Sequence, residues 1–235
     1  MGSLDGLTIR KLLKRTQIVN RGTDGPVAIR IRNKAGNAVT SVTVTTATDI
    51  VLIDSAGTTT STFATDTTLS AVVNRINASA SWEAKLLDAL STQGSVSTLL
   101  TGAITVSQDG NSTAVYDVKQ DTSTALEIGV CLSPFRDFDS PRGRRVGLKR
   151  LKYGVNMGTA AVDSVQIFKR KGGGSEIKLA GLLSIDTTET TVYDFTAGDF
   201  AIYGQSDEEL FIRVKDATTL ADATSNYVEV LGEIE

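Results

Sequence analysis

The feature that most limits how this chain can fold is the recurrence of short β-branched runs, each broken after a few residues by glycine, aspartate, asparagine or serine. Pro26-Val-Ala-Ile-Arg-Ile-Arg32 sets Val27, Ile29 and Ile31 on one face and Arg30 and Arg32 on the other, the period-2 pattern of a half-buried strand. Residues 104–118 read as a hairpin around Asp109-Gly110, because Asp-Gly supplies the positive φ that a tight turn needs. A second hairpin falls around Gly172-Gly-Gly174, between runs 162–168 and 177–183. Further strands are expected at 126–132, 146–156, 190–195, 210–215 and 227–231; in the fourth of these Leu210, Ile212 and Val214 share a face. Short strands with turn signals between them predict a mainly β protein, an antiparallel β sandwich or jelly roll.

One stretch breaks the pattern. Residues 39–46 and 50–54 are β-branched, a Thr-rich turn follows at 56–61, and then Leu69, Val72, Val73 and Ile76 fall at i, i+3, i+4 and i+7, one face of a helix. Thr67 or Thr68 can cap that helix, and Trp82, Ala84 and Leu86 then alternate as a strand packing back on it. The order is ββαβ. The chain therefore divides into an N-terminal arm and first strand at 1–35, a small inserted ββαβ domain with one helix at 36–102, and a β sandwich at 103–235. Residues 7–15 mix Leu7, Ile9, Leu12 and Leu13 with Arg10, Lys11, Lys14 and Arg15 in neither period, and are expected to be an extended arm, ordered on a partner.

Composition narrows function more than fold. The hydrophobic share of 40% and charged share of 22% over 235 residues are those of a globular chain. It contains no histidine, so neither a Ser/His/Asp or Cys/His catalytic arrangement nor a Cys/His zinc site can be built. Cys131, the single cysteine, lies in the apolar run Ile128-Gly-Val-Cys-Leu132 and reads as a small buried hydrophobe. Asp137 and Asp139, interleaved with Phe135 and Phe138, are the best carboxylate pair for sugar chemistry or calcium, but a polar connection anchored by the two rings explains them as well, and the EF-hand spacing is missing. Lys169-Arg-Lys-Gly-Gly-Gly-Ser175 lacks the strand-to-helix context of a phosphate loop and reads as a hairpin tip. No catalytic, cofactor-binding or metal-ligating residue is assigned. The N-terminus has no secretory h-region and no apolar stretch reaches the length of a membrane span, so an intracellular protein, or one assembled inside a cell, is expected without a membrane partner.

Charge is segregated. The formal net charge is only -3, yet Arg142, Arg144, Arg145, Lys149, Arg150 and Lys152 lie close together, and Arg10, Lys11, Lys14 and Arg15 form a second cluster. These ten are the candidate partner-binding residues. The first run fits an acidic surface on a partner protein, a solvated strand face that blunts edge pairing, or phosphates. Tyr153 is the only aromatic interleaved with it, which disfavours nucleic acid.

The run Thr67-Thr-Leu-Ser-Ala-Val-Val-Asn-Arg-Ile-Asn77, followed by a strand, resembles the "IN" motif of flagellar hook-associated proteins and of related modules in bacteriophage structural proteins, where the helix ends in Ile-Asn and packs on a small sheet. That resemblance implies a filament or virion component with no catalytic residue. Read from the residues alone, Asn77 simply caps the helix. In composition and architecture the whole chain looks like a bacteriophage structural protein: Thr, Ser, Ala and Gly are abundant, aromatics are few and the β segments are short. What this implies is a capsid decoration or cement protein, with a neck or tail connector or a carbohydrate- or receptor-binding sandwich as alternatives. Its partners would be copies of itself, as a trimer or higher, and major capsid or other virion proteins. It would reside in the virion after assembly in the host cytoplasm.

Overall fold

The computed structural model describes residues 11–18, 24–109, 112–121, 127–131, 146–154, 162–171, 176–183, 190–194, 202–203, 208–216 and 227–234. In chain order its elements are β1 (Lys11–Ile18), β2 (Asp24–Asn33), β3 (Val39–Thr45), β4 (Asp49–Asp54), β5 (Gly57–Thr62), α1 (Leu69–Asn77), β6 (Trp82–Leu86), α2 (Ser95–Thr98), β7 (Gly102–Ala103), β8 (Val106–Gln108), β9 (Ala114–Asp121), β10 (Glu127–Cys131), β11 (Val146–Gly154), β12 (Val162–Lys171), β13 (Ile177–Leu183), β14 (Thr190–Asp194), β15 (Ile202–Tyr203), β16 (Glu208–Asp216) and β17 (Tyr227–Ile234). The strands expected from the second half of the sequence are all present as β10 to β14, β16 and β17.

Their pairing is nested. Leaving out the short β15, β1 and the strands from β10 onward number eight, and the first pairs with the last (β1 with β17), the second with the seventh (β10 with β16), the third with the sixth (β11 with β14) and the fourth with the fifth (β12 with β13), every pair antiparallel. Two more antiparallel pairings, β11 with β17 and β12 with β16, fold this nested hairpin into the sheets β1-β17-β11-β14 and β10-β16-β12-β13. The sheets face each other, with β11 against β16. Eight strands wound in this way are a jelly roll, the second of the two architectures predicted. Apolar positions coincide across strands, as the alternation requires: Val165 is opposite Val214 and Ile167 opposite Ile212.

The expected arm differs from the structure. Lys11–Arg15 belong to β1, which is paired along its whole length with β17, from Lys11↔Ile234 to Ile18↔Tyr227. The mixed pattern of 7–15 hid this, because β1 has only one neighbour in its sheet and so does not carry the clean alternation of a central strand.

Between β1 and β10 a second unit is inserted. It consists of two four-stranded sheets, β6-β2-β9-β8 and β5-β4-β3-β7, with α1 packed against β5 and β6. One core serves all of it: Ile29, Ile31, Val42, Ile50, Leu52, Trp82 and Val118 meet the helix face Leu69, Val72, Val73 and Ile76. The expected ββαβ order gains a strand: the Thr-rich stretch read as a turn at 56–61 is mostly β5, paired along its length with β4, so the order is β3, β4, β5, α1 and β6, and the boundaries placed at 36 and 102 fall inside the unit. β2 pairs with both β6 and β9, and the hairpin of residues 104–118 belongs here as β8 and β9. Such pairings join residues far apart in the chain, and a local alternation cannot reveal them. Asp24 and Asp121 are register partners, so the unit begins and ends at one point, the usual arrangement of an inserted domain. Pro26, which cannot donate to a ladder, sits where the β2–β9 register shifts between Asp24 and Val27.

Helix α1 starts where the sequence indicates, with Thr68 Oγ1 accepting from Ala71 N at 3.3 Å. Its other end shows what the Ile-Asn pair does. Ile76 is in the core, while Asn77 Oδ1 accepts from Ala84 N at 2.7 Å and Asn77 Nδ2 donates to Ala84 O at 3.0 Å. The side-chain amide behaves like one residue of an extra strand, filling the hydrogen-bonding groups of β6 on the side away from β2. Asn77 is therefore not a helix cap; the helix is closed by the backbone N–H of Ala78 onto Asn74 O and that of Ser79 onto Ile76 O. Asn77→Ala is expected to lower the stability of the inserted domain by about 1–2 kcal/mol, since both groups of Ala84 lose a partner, and a urea melt would measure it.

Candidate functional site

The candidate partner-binding residues are placed by strand register. Arg10, Arg142, Arg144 and Arg145 lie outside the described residues. Lys11, Lys14 and Arg15 are on β1; Lys149, Arg150 and Lys152 are on β11. β17 lies between these two strands, so clusters more than a hundred residues apart in sequence meet on one sheet. Lys14, Leu231 and Arg150 form one cross-strand row, and Thr16, Glu229 and Lys152 form another. Lys149 falls at the bulge between Leu148 and Arg150, outside the regular ladder. On β11 the cations stand opposite acids: Arg150↔Asp194 on β14 and Lys152↔Glu229 on β17. The cations of β1 have Ile234, Leu231 and Val230 opposite them instead. Cys131 ends β10 opposite Phe211. Asp137, Asp139 and Gly172–Gly174 lie outside the described residues. Among the described residues no group of three or more Cys, Asp or Glu side chains could hold a metal ion. No described helix is long and apolar enough to cross a membrane.

The most developed polar site is one that sequence reasoning missed. It lies where the jelly roll meets the inserted domain. The chain from Leu86 to Ser91 is buried, which is unusual for a connecting segment. Its carbonyls can be accounted for one at a time. Asp88 O accepts from Gln120 Nε2, Leu90 O from Gln93 N and Ser91 O from Ser70 N. Leu86 O, Leu87 O and Ala89 O accept from a single guanidinium, that of Arg170, at 3.1, 3.5 and 3.0 Å. Arg170 comes from β12. On the other side of the hairpin, Glu176 precedes β13, and its Oε1 accepts from Arg170 Nη1 at 3.2 Å and from Ser91 N at 2.7 Å, while its Oε2 accepts from Ser91 Oγ. Phe168 packs against Leu90 beside them. The ion pair is almost fully out of water, its side chains being 0% and 4% exposed. The β12–β13 ladder explains the meeting: Phe168↔Lys178 and Lys169↔Ile177 are paired, and the next step sets Arg170 opposite Glu176.

Two further polar clusters hold the inserted domain. Arg30 and Asp117, register partners on β2 and β9, form a bidentate pair at 2.7 and 2.8 Å, and Arg32 on β2 bonds Glu83 on β6. The face of β2 opposite its apolar one is thus also satisfied. Asp54 ends β4 in a turn. Its Oδ1 accepts from Ala56 N and Gly57 N at 2.8 and 3.1 Å, and its Oδ2 accepts from Asn33 Nδ2 and Asn37 Nδ2 at 2.7 and 3.2 Å. Burial raises the pKa of this carboxyl, but the hydrogen bonds from Asn37, Ala56 and Asn33 outweigh it and hold the pKa below its usual 3.8. A depressed carboxylate adds stability above its unfolded-state pKa, and that contribution is lost as pH falls through the folded value. Asp54→Asn, which turns an amide donor toward the two asparagine donors, is therefore expected to destabilise the inserted domain at pH 7. The gap from the parent protein should close below pH 3.8. Thermal melts of both proteins across pH would show this; a gap independent of pH would contradict it.

No protein-family model and no curated protein matches the chain. Solved structures that resemble it include the infectious bursal disease virus Gx strain (11% identity, 96% of this chain and 70% of that one, TM-score 0.27) and the T13 viral particle of the same virus (10%, 96% and 69%, 0.26). The infectious bursal disease virus Gt strain is a third (10%, 98% and 73%, 0.25). Scores this low leave the fold assignment to the strand order. Nothing in these comparisons supports the bacteriophage or flagellar-hook resemblance.

Proposed function

We propose that the chain is a non-enzymatic virion structural protein whose jelly roll forms the assembled body and whose inserted domain projects from it. The observation that carries this reading is the nested strand order with a whole domain placed between the first and second strands. Jelly rolls serve in viral capsids and in lectins, so the architecture alone does not choose between them. Trp82 favours the first. Sugar sites usually offer an exposed Trp or Tyr platform, and the one tryptophan is fully buried in the inserted domain's core, edge-on to Tyr116.

Within the virion, the finer reading is a capsid decoration or cement protein of a bacteriophage, with a neck or tail connector as the alternative. It rests on the composition and on the two basic strands flanking β17, which suit an acidic surface on a major capsid or other virion protein. Many copies, each binding weakly, would act together through symmetry. Light scattering at micromolar concentration is expected to give a trimer or larger, and electron microscopy a closed symmetric particle. A strictly monomeric mass would count against the proposal.

A further inference from the structure

We propose that the β12–β13 hairpin is a latch that fixes the angle of the inserted domain on the jelly roll. The inserted domain begins and ends at one point, where Asp24 and Asp121 are register partners. Attachment at one point fixes the position of a domain but not its angle. The latch acts elsewhere on the domain, at Leu86 to Ser91, where the Arg170 guanidinium takes three carbonyls and Glu176 takes both the N–H and the hydroxyl of Ser91. The receiving segment is itself tied down, by Leu87 N to Ala28 O, Asp88 N to Val27 O and Gln120 Nε2 to Asp88 O, so it presents a fixed socket. Both charges are desolvated, which makes the joint two-state: seated they satisfy each other and the socket, and unseated they return to water together. The hydrophobic core of the inserted domain draws on residues 28–118 and on none of the described residues of the hairpin, so the hairpin is not part of that core. The latch goes beyond the virion reading and stands without it.

Hydrogen exchange on the full chain tests it. In Arg170→Ala, exchange of amides in segment 86–93 is expected to rise roughly 100-fold, as for loss of one partner of a buried pair, while segment 39–54 in the core of the inserted domain keeps its rate. Small-angle scattering of the same variant should show a broader distribution of interdomain distances. Glu176→Gln, which keeps an acceptor for Ser91 N and leaves the guanidinium its three carbonyls, is expected to give a smaller rise, and it serves as the test should Arg170→Ala fail to fold. Unchanged exchange at 86–93 in both variants would overturn the latch. So would an equal rise in 39–54, which would make the hairpin part of that domain's core.

Discussion

Deleting residues 1–18 is expected to unfold the jelly roll while leaving the inserted domain folded. The eight residues of β1 are each paired with β17, and at about 1 kcal/mol per hydrogen bond their loss is comparable to the roughly 5–15 kcal/mol that holds a domain together. The deletion also opens the edge of β17, a strand otherwise paired on both sides, to other chains. Urea melts and limited proteolysis should show cuts across the second half of the chain and protection of residues 24–121. An expendable arm predicts the opposite, an unchanged midpoint and no new cuts, and that outcome would remove β1 from the fold.

Trp82→Ala is expected to destabilise the inserted domain by about 3–5 kcal/mol, the range for emptying a core position of a large aromatic. Trp82 is fully buried, and its ring centroid lies 6.3 Å from that of Tyr116 at an interplanar angle of 68°, so the substitution leaves a cavity and removes an edge-to-face contact. Near-ultraviolet dichroism or the melting temperature of the domain would report it. A tryptophan serving as an exposed sugar platform would cost under about 0.5 kcal/mol, so the same measurement tells whether Trp82 is a core residue or a surface platform.

Much of the fold was legible because its signals are local. The alternation in Leu210, Ile212 and Val214 identifies β16, Thr68 opens α1, and the Gly172–Gly174 stretch separates two strands that do pair. What was not legible depends on partners distant in the chain. β1 has one neighbour and mixed faces, so it reads as an arm; β9 looks like the start of the sandwich because its partner, β2, lies some ninety residues earlier. The same limit applies to the sites. Arg170 stands in a run of Lys, Arg and Gly that reads as a charged, solvated tip, and only its meeting with the carbonyls of 86–89 makes it a buried anchor. Arg150 and Lys152 read as free positive charge, but strand register sets Asp194 and Glu229 opposite them.

The nested pairing of the first strand with the last is the claim on which the architecture and the proposed function both stand, and a disulfide can test it. With Cys131 replaced by serine, Thr16→Cys combined with Glu229→Cys places two thiols on register partners of β1 and β17. Mild oxidation of the folded protein should join them, linking the two ends of the chain in a band that shifts on reduction. Thr16→Cys with Val192→Cys is the control: it spans three strand spacings in the same row, roughly 14 Å, beyond the reach of a disulfide. Coupling in the first pair alone is the result the jelly roll predicts. No coupling there, or equal coupling in the control, would contradict it.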